Sequence, residues 1–419
     1  MIARRRLLGA GVAVALGRSA VAAPAARVVV VGGGFGGATC ARWLRRLAPS
    51  IAVTLIEPER RYVSCPFSNL ALTGARNLQS LTFDYEALRA EGVDVRHDAV
   101  EDVDVARRQA HLASGGRLPW DRIVLAPGVT LNMGAIEGYG DGAAMQMPHA
   151  WRAGAQTALL GRQLRQMGDG GVVIIVAPPN PYRCPPGPYE RASLLANWLT
   201  RAKPRSKILI LDAKDEFTKG ALFRDAWQAL YPGRIEWVAG SAGGRVVRVD
   251  AASMRVHTEF DEFGGAVVNV IPPQLAGALV RRLGLDAGLG WCAVDPRTFE
   301  AREASGVHVI GDATIAAPMP KSAFAASSQA RVCAQAVARA LGIGASPTGE
   351  PLLMNTCYSL VAPDYGISIT GAYRPEAGKL RPVPGTTGVS PKAADRDLRR
   401  REARHAEAWW SNLTEATFG

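Results

Sequence analysis

Residues Arg27–Arg46 read RVVVVGGGFGGATCARWLRR, and the order of properties along this stretch decides the fold. The four valines Val28–Val31 are a β-branched apolar run of the length expected for a buried parallel strand. Behind them, Gly32-Gly33-Gly34-Phe35-Gly36-Gly37 gives the spacing G-x-G-x-x-G in front of a helical pattern. In that setting Gly32 permits a tight turn, Gly34 lets backbone amides close on a pyrophosphate, and Gly37 lets the helix lie against the strand. The helix N-terminus then offers free N–H groups to the anion. A second strand, Ile51–Ile56, ends at Glu57, about twenty residues past Gly37, where a carboxylate can accept from the ribose hydroxyls of an adenosine. Strand, turn, helix, strand and acid fall in register, which predicts a dinucleotide-binding βαβ unit.

The chain has 419 residues, more than one ordinary core holds, so two or three domains are expected. Hydrophobic content of 48% describes a folded globular protein. Of the formal net charge of +12, four charges come from Arg4, Arg5, Arg6 and Arg18, in a segment up to Ala26 that carries no acid. The mild basic excess that is left, without interleaved aromatic and basic residues, argues against nucleic acid. It suits an anionic substrate or an acidic partner surface better.

Arg4–Arg6 precede the apolar run Leu7–Leu16, and Ala20, Ala22 and Ala23 form an A-x-A site just before Pro24, so residues 1–26 read as an export signal. The run is too short to span a bilayer. Paired arginines before a weakly hydrophobic core are similar to a twin-arginine signal, with an ordinary secretory signal as the alternative. Both predict a periplasmic protein, in a compartment where disulfides persist.

Further on, Cys65 lies in RYVSCPFSNLALTG, the apolar strand Ile123–Ala126 stops at Pro127-Gly128, and Gly138–Gly142 marks a crossover to a second domain. That domain opens with the strand Gly171–Ala177, after which a second glycine turn is expected. The sequence has Pro178-Pro179-Asn180-Pro181-Tyr182-Arg183-Cys184-Pro185-Pro186-Gly187-Pro188 instead. Prolines offer no N–H to a phosphate and hold the chain rigid, so the docking place of a nicotinamide cofactor is rebuilt as a stiff loop presenting Cys184. A helix from Tyr189 to about Thr200 and the strand Lys207–Leu211 complete this second βαβ unit.

The chain then returns to the first domain through Val307–Ile310, Gly311-Asp312 and a helix from Ser322. An aspartate at a strand end beside a helix N-terminus can hold ribityl or pyrophosphate oxygens of a flavin. Beyond Pro351, Leu360–Val361 and Gly366–Tyr373 are strand-like, and a charged helix, Ala393–Asn412, leads to the terminal TFG. The expected class is α/β: two Rossmann-like dinucleotide-binding domains of glutathione-reductase type plus a smaller C-terminal α+β domain. The expected boundaries are 27–137 with 277–347 for a discontinuous FAD domain, 138–276 for an NAD-like domain without nucleotide, and 348–419 for a C-terminal domain.

The six cysteines, Cys40, Cys65, Cys184, Cys292, Cys333 and Cys357, include no C-x-x-C pair and no C-x-x-C-H. Zinc and covalently attached haem are therefore not expected in this chain, and the six histidines lack paired metal spacing. Cys40 and Cys333 occupy apolar helix positions and read as packing residues, as does Cys292 in GLGWCAVD. Cys65, Cys184 and Cys357 lie in loops or at element ends with unusual neighbours, where site residues concentrate. Whether Cys184 and Cys357 pair is not decided by spacing.

The segments VVVVGGGFGGAT, VTLIEPERRYVSC, VAPPNPYRCPPGPYERAS, VNVIPPQ, GWCAVD, HVIGDA, PMPKS, NTCYS, APDYGIS and the final TFG carry a resemblance across nearly the whole chain after residue 26. The sequence resembles the flavoprotein subunit of flavocytochrome c sulfide dehydrogenase. The resemblance implies a covalent FAD held by Cys65 as a thioether, and a redox-active disulfide between Cys184 and Cys357 beside the flavin. It implies oxidation of sulfide to sulfane sulfur or polysulfide, with electrons passing to the haem of a separate c-type cytochrome subunit in a heterodimer. Pro66 follows Cys65 where some relatives have Tyr, a local departure at the attachment point.

With Gly32, Gly34, Gly37, Glu57, Gly311 and Asp312, Lys321 is expected at the flavin, where its charge would stabilise the reduced form; a solvated loop lysine is the alternative. Glu190 and Arg191 either position the Cys184 loop or form a helix-start ion pair of little weight. Competing readings are a membrane-associated sulfide:quinone oxidoreductase and a non-catalytic accessory flavoprotein. The last helix, with Lys392, Arg396, Arg399, Arg400, Arg401 and Arg404, reads as solvated, which predicts no stable membrane insertion.

Overall fold

The computed structural model describes residues 25–344 and 349–419. The expected export signal lies outside the described residues except for its last two positions, and Ala26 already opens the first strand. In chain order, β1 (Ala26–Val31), α1 (Phe35–Leu47) and β2 (Ile51–Ile56) are followed by a short helix α2 (Ser68–Leu72), β3 (Asp94–Arg96) and β4 (Arg122–Leu125). The middle of the chain holds β5 (Val172–Ala177), α3 (Gly187–Ala202), β6 (Lys207–Asp212), α4 (Gly220–Leu230), β7 (Ile235–Val238) and β8 (Val267–Val270). Then come β9 (Val307–Val309) and α5 (Ala323–Ala340). The last block is β10 (Leu353–Ala362), β11 (Tyr365–Glu376), β12 (Lys379–Pro382), β13 (Gly388–Val389) and α6 (Arg396–Phe418).

The first sheet is five-stranded and parallel, in the order β9-β4-β1-β2-β3. Its central strand β1 is buried from Val28 to Val31, which is why the sequence there is an unbroken apolar run. α1 and α5 pack against one another, and Cys40 and Cys333 are fully buried within these two helices. The second sheet, β7-β6-β5-β8, is four-stranded and also parallel. Between the two sheets the chain crosses and returns along one antiparallel pair, Val129–Leu131 against Gln274–Ala276. These are two doubly wound units with a smaller antiparallel layer, the α/β class expected.

That last layer is the sheet β10-β11-β12, with β13 paired to β11 and α6 lying across it. Its strands are longer than the sequence signalled, and α6 runs to Phe418 instead of stopping at Asn412. Asp395 caps α6 by accepting from the Leu398 N–H at 2.7 Å.

The reading of α6 as a solvated helix is corrected. Lys392, Arg400, Arg401 and Arg404 face solvent, but Arg399, Glu402, Ala403, Ala406, Trp410, Leu413 and Phe418 are buried. The acid-base content hid an amphipathic stripe, because Arg399 and Glu402 are inside: Arg399 Nη1 meets Glu402 Oε2 at 3.1 Å, and Glu402 also accepts from Ser368 at 2.8 Å and from Ser390. Among the described residues no helix is long and apolar enough to cross a membrane.

Candidate flavin and dithiol site

The glycine turn after β1 is shaped by contacts that forbid side chains. Gly32 has φ +99°, and a Cβ on Gly37 would stand 1.8 Å from the Gly32 carbonyl oxygen. No side chain caps the N-terminus of α1, so its first N–H groups remain available to an anion. Glu57, at the end of β2, accepts from the Gly33 N–H at 2.7 Å and from the Glu59 N–H at 2.9 Å, which fixes the carboxylate at the turn. Asp312 follows β9 in the same sheet, with its Oδ1 buried and without a hydrogen-bond partner. Burial pushes this carboxyl up, while Arg183 and Lys321 pull it down. A buried acceptor with no donor is costly unless a ligand supplies one. An open helix N-terminus, a glycine cradle and an orphaned acceptor for a ribityl hydroxyl fit FAD.

Lys321 is not a solvated loop residue. Its Nζ donates to the Asp312 carbonyl at 2.8 Å and the Thr314 carbonyl at 2.6 Å and lies 3.8 Å from the Trp291 ring centroid. Burial lowers it to about 8 against the pull of Asp312. The side chain therefore braces the Asp312 turn, and the Lys321 carbonyl accepts the Cys184 N–H at 2.8 Å. That bond joins the proline loop of the second domain to the flavin side of the first.

Cys184 itself sits in the left-handed region, φ 58°, just before α3. Gly187 makes the conformation possible: its N–H donates to the Cys184 carbonyl at 2.9 Å, and a Cβ there would be 2.5 Å from the Trp151 ring and 3.1 Å from the Cys184 sulfur. Arg183, on the same loop, donates from Nη2 to the Trp151 carbonyl at 2.6 Å, and the Cys65 thiol lies 3.8 Å from that same oxygen. Cys65 thus faces the Arg183–Cys184 loop. Its segment is held from behind by α6, since the neighbouring Ser64 hydroxyl meets Trp410 Nε1 at 3.3 Å and Phe67 packs on the Trp410 ring.

Cys357 is corrected in its setting: it lies in mid-strand on β10, opposite Ile369 of β11, not in a loop or at an element end. Its alternation was masked in the sequence by the polar run Asn355–Ser359, which the sheet accommodates through ladder hydrogen bonds. Cys184 and Cys357 are both partly buried and are drawn without a bond between them. Burial raises Cys184 well above an ordinary thiol, and the first charge bearing on it is Cys357, so the two sulfurs share one environment. Cys357 is raised by burial, lowered by Lys219 and raised by Glu190.

Glu190 and Arg191 are not a surface ion pair. Glu190 accepts from the Leu360 N–H and from Asn69 Nδ2, both at 2.9 Å, tying α3 to β10 and to α2. Burial raises its carboxyl. Arg191, buried, donates to Asn69 at 3.0 Å, Asn269 at 2.7 Å and the His149 and Ala150 carbonyls. Two cations, Arg183 and Lys219, were missed from the sequence. Arg183 carried a signal, since it adjoins Cys184, whereas Lys219 carried none. Among the described residues no group of three or more His, Cys, Asp or Glu is placed to hold a metal ion.

Three family models match this chain. Residues 157–272 match the central region of the sulfide dehydrogenase [flavocytochrome c] flavoprotein chain. Residues 349–418 match the flavin-binding region of flavocytochrome c sulphide dehydrogenase, and residues 26–166 match pyridine nucleotide-disulphide oxidoreductase. The sulfide dehydrogenase [flavocytochrome c] flavoprotein chain of Chlorobaculum thiosulfatiphilum is 70% identical over 43 residues, covering 10% of this chain and 90% of that sequence. The mitochondrial sulfide:quinone oxidoreductase of Mus musculus is 24% identical over 313 residues, 73% of this chain and 69% of its own. Among solved structures, the sulfide:quinone oxidoreductase of Aquifex aeolicus shares the fold with TM-score 0.74 at 15% identity, covering 94% of this chain and 92% of that one.

Proposed function

Since this chain belongs to the flavoprotein family of flavocytochrome c sulfide dehydrogenase, we propose that it oxidises sulfide through Cys184 and Cys357, carries FAD covalently on Cys65, and passes electrons to a c-type cytochrome. The observation that carries this reading is how three separate segments are tied together: Cys65 and Arg183 share the Trp151 carbonyl, the Cys184 N–H bonds the Lys321 carbonyl beside Asp312, and Glu190 ties the Cys184 helix to the strand of Cys357. Hydrosulfide attacks the Cys184 sulfur of the oxidised pair, leaving a persulfide there and a thiolate on Cys357. A second hydrosulfide takes the outer sulfur as disulfane and leaves the dithiol. Bound FAD supplies the two-electron acceptor that restores the disulfide and releases electrons singly.

The chain's own residues perform the positioning. The stiff proline loop and the bond from the Cys184 N–H to the Lys321 carbonyl fix the Cys184 sulfur. Glu190 clamps α3 to the strand bearing Cys357, so the two thiols keep their spacing through the cycle. Gly32, Gly34 and Gly37 would receive the pyrophosphate, Glu57 the adenosine ribose and Asp312 the ribityl chain. Cys65, held by the Ser64–Trp410 contact, would form the thioether to the 8α carbon.

The decisive assay is sulfide-dependent reduction of cytochrome c by the purified chain, with and without a co-purifying cytochrome, set against reduction of a quinone. Quinone reduction without cytochrome reduction would transfer the chain to the quinone-reductase reading, which the match to the mouse enzyme favours. Inactivity with both acceptors would leave an accessory flavoprotein. A mass spectrum of the acid-denatured protein reads the attachment: FAD mass stays on the Cys65 peptide and is lost in Cys65→Ala. Export to the periplasm belongs to the same proposal, with the arginine-led segment 1–26 as its support.

A further inference from the structure

Lys219 belongs to no motif, yet it is placed as few lysines are. It occupies a left-handed turn, φ 63°, at the start of α4 and is 7% exposed. Its Nζ lies 2.8 Å from Ser359 Oγ, 3.4 Å from the Cys357 carbonyl and 3.3 Å from the Ile367 carbonyl, three acceptors on the β10–β11 hairpin around Cys357. All three are neutral, and the Phe223 ring lies 5.9 Å away. A buried ammonium with only neutral acceptors is unfavourable unless an anion balances it.

Four acidic groups bear on it: Cys357 on β10, Glu190 on α3, Cys184 before α3, and Glu402 on α6. Glu402 is already held by Arg399, Ser368 and Ser390, and Glu190 by Asn69 and the Leu360 N–H. Arg183 stands nearer the Cys184 side, where it is the first cation to act on that thiol. Lys219 is the first charge to act on Cys357. The sulfur left for Lys219 to balance is therefore that of Cys357.

We propose that Lys219 is a positioning residue for the reaction, a buried countercharge fixed to the strand of Cys357 that stabilises the sulfur of Cys357 as the thiolate released when the pair opens. In that step hydrosulfide forms a bond to the Cys184 sulfur, the Cys184–Cys357 bond breaks, and its electron pair stays on Cys357. The hydrosulfide proton remains on the new persulfide. A lower-pKa leaving thiol departs faster, so the ammonium gives the bond a direction of opening. This inference rests on Cys184 and Cys357 being the redox pair, and the test separates the two.

The holo-flavoprotein is reduced with a phosphine, alkylated with iodoacetamide across pH, and each cysteine peptide is read by mass spectrometry. Midpoints are compared because access alters rates but not midpoints. Cys357 should titrate at lower pH than Cys184. Lys219→Met should raise the Cys357 midpoint by about one unit, slowing its alkylation about tenfold at neutral pH, and Lys219→Arg should restore it. An unchanged Cys357 midpoint in folded Lys219→Met would overturn the proposal. If that variant does not fold, the wild-type order decides: Cys184 titrating at or below Cys357 overturns it. A different result, no gain of two alkylatable thiols at these positions on reduction, would sink the disulfide reading itself.

Discussion

The two βαβ units of this protein follow one plan and end in opposite states. In β1-α1-β2 the strand-end acid Glu57 stays partly exposed and steadies an open glycine turn. In β5-α3-β6 the acid in the same place, Asp212, is fully buried and spent on protein groups: Tyr189 Oη at 2.5 Å, Trp237 Nε1 at 3.0 Å and Lys214 Nζ at 2.5 Å. Lys214 also donates to the Pro178 carbonyl at 2.6 Å, closing the turn where a second dinucleotide would enter. The strand-end acid of the second unit is thus satisfied by side chains of its own unit, where that of the first holds a backbone turn. An acid at a strand end is thus not diagnostic of a nucleotide; what hydrogen-bonds to it is.

The strongest break of this comparison lies in the loop that replaced the second glycine turn. Cys184→Ser should lower sulfide oxidation by about a thousandfold or more while flavin content is unchanged, measured as turnover per bound FAD. Gly37→Val tests the first unit: with the Gly32 carbonyl 1.8 Å from the new Cβ, the turn cannot close, and the purified protein should lack flavin absorbance. Full flavin loading of Gly37→Val would remove the cradle from the account.

Asp212→Asn separates a filled site from an empty one. It should cost about 3 kcal/mol in denaturant unfolding, because Lys214 keeps its buried charge without a counterion, and leave FAD content intact. NADH should fail to bleach the flavin under anaerobic conditions, and rapid bleaching would reopen the second site.

The smallest effect is electrostatic and belongs to α1. Glu91, hydrogen-bonded by Arg46 and Arg42, is lowered from 4.5 to about 2. Since its folded value lies below the unfolded one, its contribution is complete above pH 4.5 and disappears as pH falls through about 2. Arg46 is half exposed and screened by solvent while Arg42 is buried, so acid unfolding of Glu91→Gln should differ by about 1 kcal/mol from the parent across that window.

Much of the first unit was legible because its signals are local. Val28–Val31, the glycine spacing and Glu57 lie within one short run, and the predicted strand Ile51–Ile56 matches β2 end to end. The proline loop was equally plain, since missing N–H groups are a property of the residues themselves. Errors fell where partners come from far along the chain. Cys357 read as an element end because its strand is defined by β11, and Trp410 read as solvated because its cover, Arg76 and Phe67, comes from the first domain. Glu190 resembled a helix-start ion pair, whereas its partners are Asn69 and Leu360.

By itself the sequence determined the α/β class, the glycine turn after the first strand and which three cysteines stand apart from the packing ones, because backbone permissiveness, chain stiffness and thiol chemistry travel with the residue. Only the tertiary structure decided that Asp212 is consumed from within, that Lys321 braces Asp312, and that Lys219 stands beside Cys357. The reason is physical: charge balance and desolvation depend on what surrounds a group in space, and those neighbours are assembled by the fold from segments that carry no mark of each other.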